Sequence, residues 1–244
     1  MAYEVKSMEV LKAVWDRGIN TIDTTNAYSN GKSERAIGKF IKKYQIPHNE
    51  ILILTKCHHL VHKDIGFTAA NSPELSNTRD YVNQFGLFRA AIFHSVEASL
   101  RRLDTPYIDL LQIHRFDPNV EPEETIKALH DLVQSGKFAL LNLVAERNGW
   151  TKFVSMQNEC SLLYREEERD FAYCNYHGLI PWAPNAGGRL TRPLEEKTTR
   201  AAIFKGTPYY PDATDADKRI IKRVQEIAEK HGKSMAQIAS AWVC

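Results

Sequence analysis

The chain has 244 residues, 43% of them hydrophobic and 25% charged, which suits one globular domain or two small ones and suffices for a sizeable core. Its 32 basic and 30 acidic residues are well mixed and leave a net charge of +2, so the pattern excludes a nucleic-acid-binding stripe and an acidic tail. Cys57, Cys160, Cys174 and Cys244 are scattered and form no C-x-x-C pair, which reads as free thiols rather than a disulfide framework. The amphipathic start "MAYEVKSMEVLKAVW" lacks the apolar core of a signal peptide, and no apolar run has the length of a membrane span. A soluble, cytoplasmic protein with no membrane partner is expected.

Val5, Met8, Leu11 and Val14 recur at helical spacing and predict a helix over 4–16, stopped by Gly18. "INTID" (19–23) predicts a short strand. Ser33 is placed to cap a second helix, 34–43, with Ala36, Ile37, Phe40 and Ile41 on one face. Pro47 closes that stretch. "ILILT" (51–55) is the nearly continuous apolar strand expected where both faces are buried. The polar segment 60–87 is too long for an idle connection and is expected to shape a substrate pocket. A helix over 89–102 and the strand "YIDLLQI" (107–113) follow. Glu121-Pro122-Glu123-Glu124 opens a helix that runs to Ser135 and is stopped by Gly136. "KFVSMQ" (152–157) and "GLIPW" (178–182) predict two more strands with a helix between them. Helices over 215–231 and 234–242 complete the pattern.

Strands alternating with helices indicate a parallel sheet with crossover helices. The first strand is not followed by G-x-G-x-x-G, so the usual dinucleotide fingerprint is absent. A TIM-type (β/α) barrel is the better fit, and it requires reactive groups at the C-terminal strand ends. The first strand ends in Asp23, with Tyr28 just beyond. "ILILTK" ends in Lys56 and "YIDLLQIH" in His114. A lysine closing an aliphatic strand is partly desolvated and seeks a carboxylate; Asp23 is the nearest candidate. A phenol has a pKa of about 10, and a nearby ammonium lowers it, each unit being about 1.4 kcal/mol. With His114 donating a hydrogen bond, the set suits protonation of an oxygen that gains charge as hydride reaches a carbonyl. The hydride must come from a cofactor.

"GINTIDTTNAYSNGKSE", "LTK" and "YIDLLQIHR" resemble the aldo-keto reductases, NADP-dependent enzymes on an eight-stranded α/β barrel. The likeness continues through "FVSMQNECSLLYREEER" and "LIPWAPNAGGRLTRP" and points to the fungal, aryl-alcohol-dehydrogenase-like branch. It implies a catalytic tetrad of Asp23, Tyr28, Lys56 and His114, with Tyr28 and His114 meeting the substrate. It also implies that Asp23 and Gln157 contact NADP(H), Gln157 at the nicotinamide carboxamide. Trp182 would stack on the nicotinamide ring, and Ala183, Asn185, Gly187, Gly188 and Arg189 would follow the phosphates. The implied reaction is reversible reduction of an aldehyde or ketone, in some members within secondary metabolism.

Departures from the family pattern are equally visible. About five strands are predicted where a closed barrel needs eight. The chain opens inside the first helix. "SGK" runs into "FALLNLVAERNGW", which reads as a helix where a strand is expected. The sequence stops at "AQIASAWVC", before the segment that would grip the adenosine 2′-phosphate, so NADPH and NADH both stay open. Phe88 stands where a serine cap is expected, a change of about 1 kcal/mol. A single incomplete barrel over 1–244, with 60–87 inserted, would expose ladder edges and favour self-association. An impaired shortened paralogue, or a non-enzymatic binding or regulatory subunit like the potassium-channel β subunits, is the alternative. Cys57, His58, His59 and His62 offer metal-binding types, but no matched ligands accompany them and no metal is expected. His94, His130 and His177 read as structural, "REEERD" (165–170) as a solvated helix face and "TRPLEEKTTR" (191–200) as surface loop.

Overall fold

The computed structural model describes residues 2–64, 73–136, 148–150, 154–170, 178–196, 198–204 and 211–243. The chain divides into two compact units, Met1–Phe153 and Val154–Cys244.

The first unit runs α1 (Ala2–Trp15), β1 (Thr21–Asp23), α2 (Lys32–Tyr44), β2 (Leu52–Cys57), α3 (Arg89–Leu103), β3 (Leu110–Ile113) and α4 (Pro122–Gln134). The three strands form one parallel sheet in the order β1-β2-β3. β2 lies in the middle and is buried at five consecutive positions, as its unbroken apolar run requires. Phe40, Ile53, Ile92, Val96, Leu103, Leu111 and Leu129 form the core, and Met8, Leu11 and Trp15 of α1 pack against it.

Two helix starts differ from expectation. α2 begins at Lys32 after Gly31, whose φ of 81° is left-handed, and no side chain caps it. Ser33 instead accepts a hydrogen bond from the Thr24 hydroxyl at 2.7 Å, tying the helix start to the end of β1. A Cβ at Gly31 would lie 2.5 Å from Cδ of Arg102, so the position excludes side chains twice over. Phe88 supplies no cap to α3; Glu124 of α4 accepts from the Arg89 N–H at 2.9 Å in its place. Fully buried Glu34 joins α2 to β2 and α3, accepting from Thr55 Oγ1 at 2.7 Å and Arg102 Nε at 2.5 Å.

The second unit contains the parallel pair β4 (Met156–Glu159) and β5 (Leu179–Trp182), then α5 (Thr199–Phe204), α6 (Asp215–His231) and α7 (Met235–Val243). Leu190, Ile221, Val224, Ala228, Met235 and Ala239 form its core. Thr214 and Asp217 cap α6 reciprocally, and Gly232 ends it at a φ of 59°.

β4 starts later than the apolar residues before it suggest. "REEERD" is a 3-10 turn, Glu166–Asp170, rather than a helix face, and Arg165 pairs with Glu168 at 2.6 Å. The remainder of the helix expected between β4 and β5, with Cys174 and His177, lies outside the described residues, as do 137–147 of the segment after "SGK". Of "TRPLEEKTTR", Leu194, Glu195 and Glu196 are exposed, Thr191, Arg192 and Pro193 are half-buried, residue 197 lies outside the described residues, and α5 begins at Thr199. His94 is exposed on α3, and His130 stacks on Trp150 at 6.4 Å. Five strands in two parallel sheets are present among the described residues. Among them, no helix is long and apolar enough to cross a membrane, and Cys57 and Cys160 are free, buried thiols.

Candidate active site

Asp23 ends β1, Lys56 is the penultimate residue of β2, and His114 directly follows β3. The parallel register pairs Asp23 with Leu54 and Lys56 with Gln112, so the three strand ends lie side by side. Lys56 is 4% exposed; its Nζ donates to Asp23 Oδ2 at 2.6 Å and to the Thr24 carbonyl at 3.0 Å. Asp23 Oδ1 accepts from Gln112 Nε2 at 2.6 Å. Tyr28 sits in the turn after β1, wound by consecutive left-handed residues Ser29, Asn30 and Gly31. Its half-exposed ring lies 6.0 Å from Lys56 Nζ and 6.4 Å from the His114 ring, edge-on at 85°. The four residues singled out in the sequence therefore stand together in the first unit.

The electrostatics correct one expectation. The Tyr28 phenol is raised above its ordinary value, by burial first and by the Asp23 carboxylate second. Lys56 Nζ lies 6.0 Å from the ring and 2.6 Å from Asp23, and burial with the Asp23 carboxylate decides the direction. His114 is pushed down to about 4, chiefly by burial and then by His59, Lys56, Arg115 and His58. It is neutral at pH 7 and has one N–H to offer, its Nδ1 being 3.3 Å from the Thr25 hydroxyl.

His58, His59 and His114 form a row of rings, with centroids 4.8 and 4.7 Å apart. Burial pushes His59 down to about 4 and lowers His58 as well. Burial also pushes the Cys57 thiol up to about 12, far from a thiolate ligand. Among the described residues, no three or more His, Cys, Asp or Glu side chains are grouped to hold a metal ion.

The described parts of 60–87 are anchored beside this site. Asn30 Oδ1 accepts from the His62 N–H at 3.1 Å, the Gly86 N–H donates to the His58 carbonyl at 2.9 Å, and Asp117 accepts from the Leu87 N–H at 3.0 Å. A cavity of about 340 Å³ is lined by Asn30, Arg35, His62, Tyr81 and Arg102 among others. Tyr28 and His114 do not line it, so this hollow neighbours the tetrad rather than containing it.

In the second unit, Gln157 lies on β4 and Trp182 ends β5, 41% exposed. The following loop takes left-handed backbone at Ala183, Ala186, Gly187 and Gly188. The N–H groups of Ala186, Gly188, Arg189 and Leu190 donate to carbonyls within this loop, which winds it tightly. Asn158, 3% exposed, and Asn185 each bury an Oδ1 that meets no donor among the described residues, while Asn185 Nδ2 donates to Ser240 Oγ at 3.5 Å. A carboxamide that donates and a flat ring match these oxygens and the exposed indole, so the residues fit a nicotinamide group. Sequence reasoning misses Asn158, Gln112 and Thr25. A lone amide inside the apolar strand Leu110–Ile113 is the available signal for Gln112.

The aldo/keto reductase family model matches residues 3–244. Aldo-keto reductase AFTS1 of Alternaria alternata is 50% identical, over 98% of this chain and 72% of its own. Versiconal hemiacetal acetate reductase of Aspergillus parasiticus is 44% identical, over 98% of this chain and 75% of its own. Among solved structures, the glycerol dehydrogenase of Gluconobacter oxydans superposes with a TM-score of 0.75 at 25% identity, covering 97% of this chain and 72% of that one. The chain belongs to the aldo/keto reductase family, oxidoreductases on the TIM-barrel fold that act on small-molecule carbonyl compounds with a nicotinamide cofactor. Its fungal relatives include aryl-alcohol-dehydrogenase-like chains at 39% to 44% identity. The Alternaria alignment spans 262 positions against a chain of 244 residues, so that relative carries residues inside the matched region that this chain lacks.

Proposed function

We propose that this protein reduces an aldehyde or ketone reversibly to the alcohol with NADPH, in the cytoplasm, with fungal secondary metabolism as the setting. The convergence of Asp23, Tyr28, Lys56 and His114 at the ends of β1, β2 and β3 carries this reading. NADPH when bound supplies the hydride that no side chain can. Tyr28 gives its phenolic proton to the carbonyl oxygen, and neutral His114 donates a hydrogen bond to the same oxygen. Asp23 holds Lys56. Lys56 in turn takes up the carboxylate charge that would otherwise act on the phenol at full strength. The Tyr28 phenol, which lies above its ordinary value, is protonated at neutral pH and so has a proton to give. Asp23, Gln157, Trp182, Ala183, Asn185, Gly187, Gly188 and Arg189 are the proposed cofactor contacts. The buried Oδ1 of Asn158 joins them as an acceptor for the carboxamide.

A second reading rests on length. The Alternaria relative carries residues inside the matched region that this chain lacks. This supports a catalytically impaired shortened paralogue, or a binding subunit that self-associates through unclosed edges. NADPH consumption with aromatic aldehydes separates the readings. Wild-type protein turns over, and Tyr28→Phe loses roughly 100- to 10,000-fold in rate while still binding NADPH. Equal turnover in the two removes Tyr28 from the chemistry; a folded wild type without turnover favours the second reading.

A further inference from the structure

We infer that Gln112 is a positioning residue for the tetrad: its amide holds the second oxygen of Asp23, so that the other oxygen stays on Lys56. Neither the family match nor the sequence pattern assigns it this role. The inference deepens the reductase reading and rests on it for its kinetic consequences.

The sheet register creates the contact. Gln112 on β3 pairs with Lys56 on β2, and Asp23 on β1 pairs with Leu54, two residues before Lys56. Side chains alternate along a strand, so Asp23, Lys56 and Gln112 project from the same face. Gln112 reaches past Lys56 to donate from Nε2 to Asp23 Oδ1 at 2.6 Å, while Lys56 Nζ donates to Oδ2 at 2.6 Å. An ionised carboxylate only accepts, so the Gln112 amide nitrogen must be the atom that faces it. Two donors on two oxygens fix the plane of the carboxylate as one donor cannot. The direction matters because Asp23 also acts on the Tyr28 phenol. A carboxylate free to rotate would loosen its grip on Lys56 and expose the phenol to more negative charge.

The Gln112 amide meets Asp23 on β1, and the charged and titratable groups joined to that carboxylate are Lys56 on β2, then Tyr28 in the turn after β1, which faces His114 beyond β3. Gln112→Leu removes the donor. Gln112→Glu replaces the amide with a carboxyl of the same shape, which donates to Asp23 only when protonated. Beside Asp23 that carboxyl binds its proton more tightly in the folded state than in the unfolded one. Its stabilising contribution is therefore present at low pH and disappears as pH rises through the folded pKa.

The test compares wild type, Gln112→Leu and Gln112→Glu as whole chains. Turnover of an aromatic aldehyde with NADPH is followed from about pH 5 to about pH 8, alongside thermal melts without cofactor. Gln112→Leu loses roughly tenfold in kcat at every pH, with NADPH affinity unchanged. Gln112→Glu falls further at about pH 8 and recovers towards wild type at about pH 5. Its melting temperature, relative to Gln112→Leu, rises over the same descent in pH. A Gln112→Glu variant whose activity and melting temperature track Gln112→Leu at every pH overturns the inference, and so does a Gln112→Leu variant equal to wild type in kcat. The melts need no turnover. A wild type that reduces nothing therefore counts against the reductase reading, while the pH dependence of the melts still decides whether Gln112 holds Asp23.

Discussion

At the ends of β1, β2 and β3 both oxygens of Asp23 are engaged, Oδ2 by Lys56 and Oδ1 by Gln112. In the second unit, Asn158 and Asn185 each bury an oxygen that meets no donor among the described residues. An unmet buried acceptor costs about 1–3 kcal/mol. Such groups persist in folded proteins where strain, a ligand or an unseen partner gives them a reason. The first region is thus assembled by its own side chains before anything binds. The second keeps acceptors that a donating ligand would satisfy. Preorganised charge suits the chemical step, and unmet acceptors suit cofactor capture.

Three substitutions or conditions probe that contrast. The largest effect is expected at Asp23. Asp23→Ala leaves the Lys56 ammonium, 4% exposed, with the Thr24 carbonyl as its remaining hydrogen-bond acceptor of those described above. Urea unfolding should register a loss of about 1–3 kcal/mol, because the stranded Lys56 is buried while Asp23 itself is 35% exposed. Acid comes next. His59 and His114 are held down to about 4, and His58 is also lowered, mainly by burial. Their unfolded values lie near 6.5, so the unfolded chain binds protons first. The stability they contribute is present above about pH 6.5 and is lost as pH falls through about 4. Thermal melts across that window should show a falling midpoint, and a flat profile would place the three rings in water. The smallest effect belongs to the second unit. Asn158→Ala should weaken NADPH binding by roughly tenfold, with no loss of melting temperature, because its oxygen has no partner to lose. A large loss of stability there would erase the contrast.

Much of the first region is legible in the sequence. "INTID", "ILILTK" and "YIDLLQIH" end in reactive groups, and parallel strands joined by helices bring consecutive ends together. The Asp23–Lys56 contact follows from the need of a desolvated ammonium for a carboxylate. The Gln112 contact does not, because it depends on a register shared across three strands, which only the assembled sheet fixes. The direction of the Tyr28 shift is hidden for a related reason: it turns on how far the phenol is buried and how near Asp23 stands, which packing decides. Local signals mislead at helix starts. Ser33 has the chemistry of a cap, but left-handed Gly31 begins α2 earlier, and Glu124 from a different helix does the work that Phe88 cannot. In the second unit the apolar residues before Met156 pull the predicted strand forward, and Asn158 is masked because a buried orphan oxygen is a property of packing.

NADPH titration of the purified chain, followed by nicotinamide fluorescence with NADH as the control, tests the central claim most directly. Saturable binding that prefers NADPH is the predicted result, and an aldehyde screen then follows naturally. A folded chain that leaves the fluorescence of both nucleotides unchanged would contradict the account, and would mean that Asp23, Tyr28, Lys56 and His114 stand assembled without the cofactor their chemistry requires.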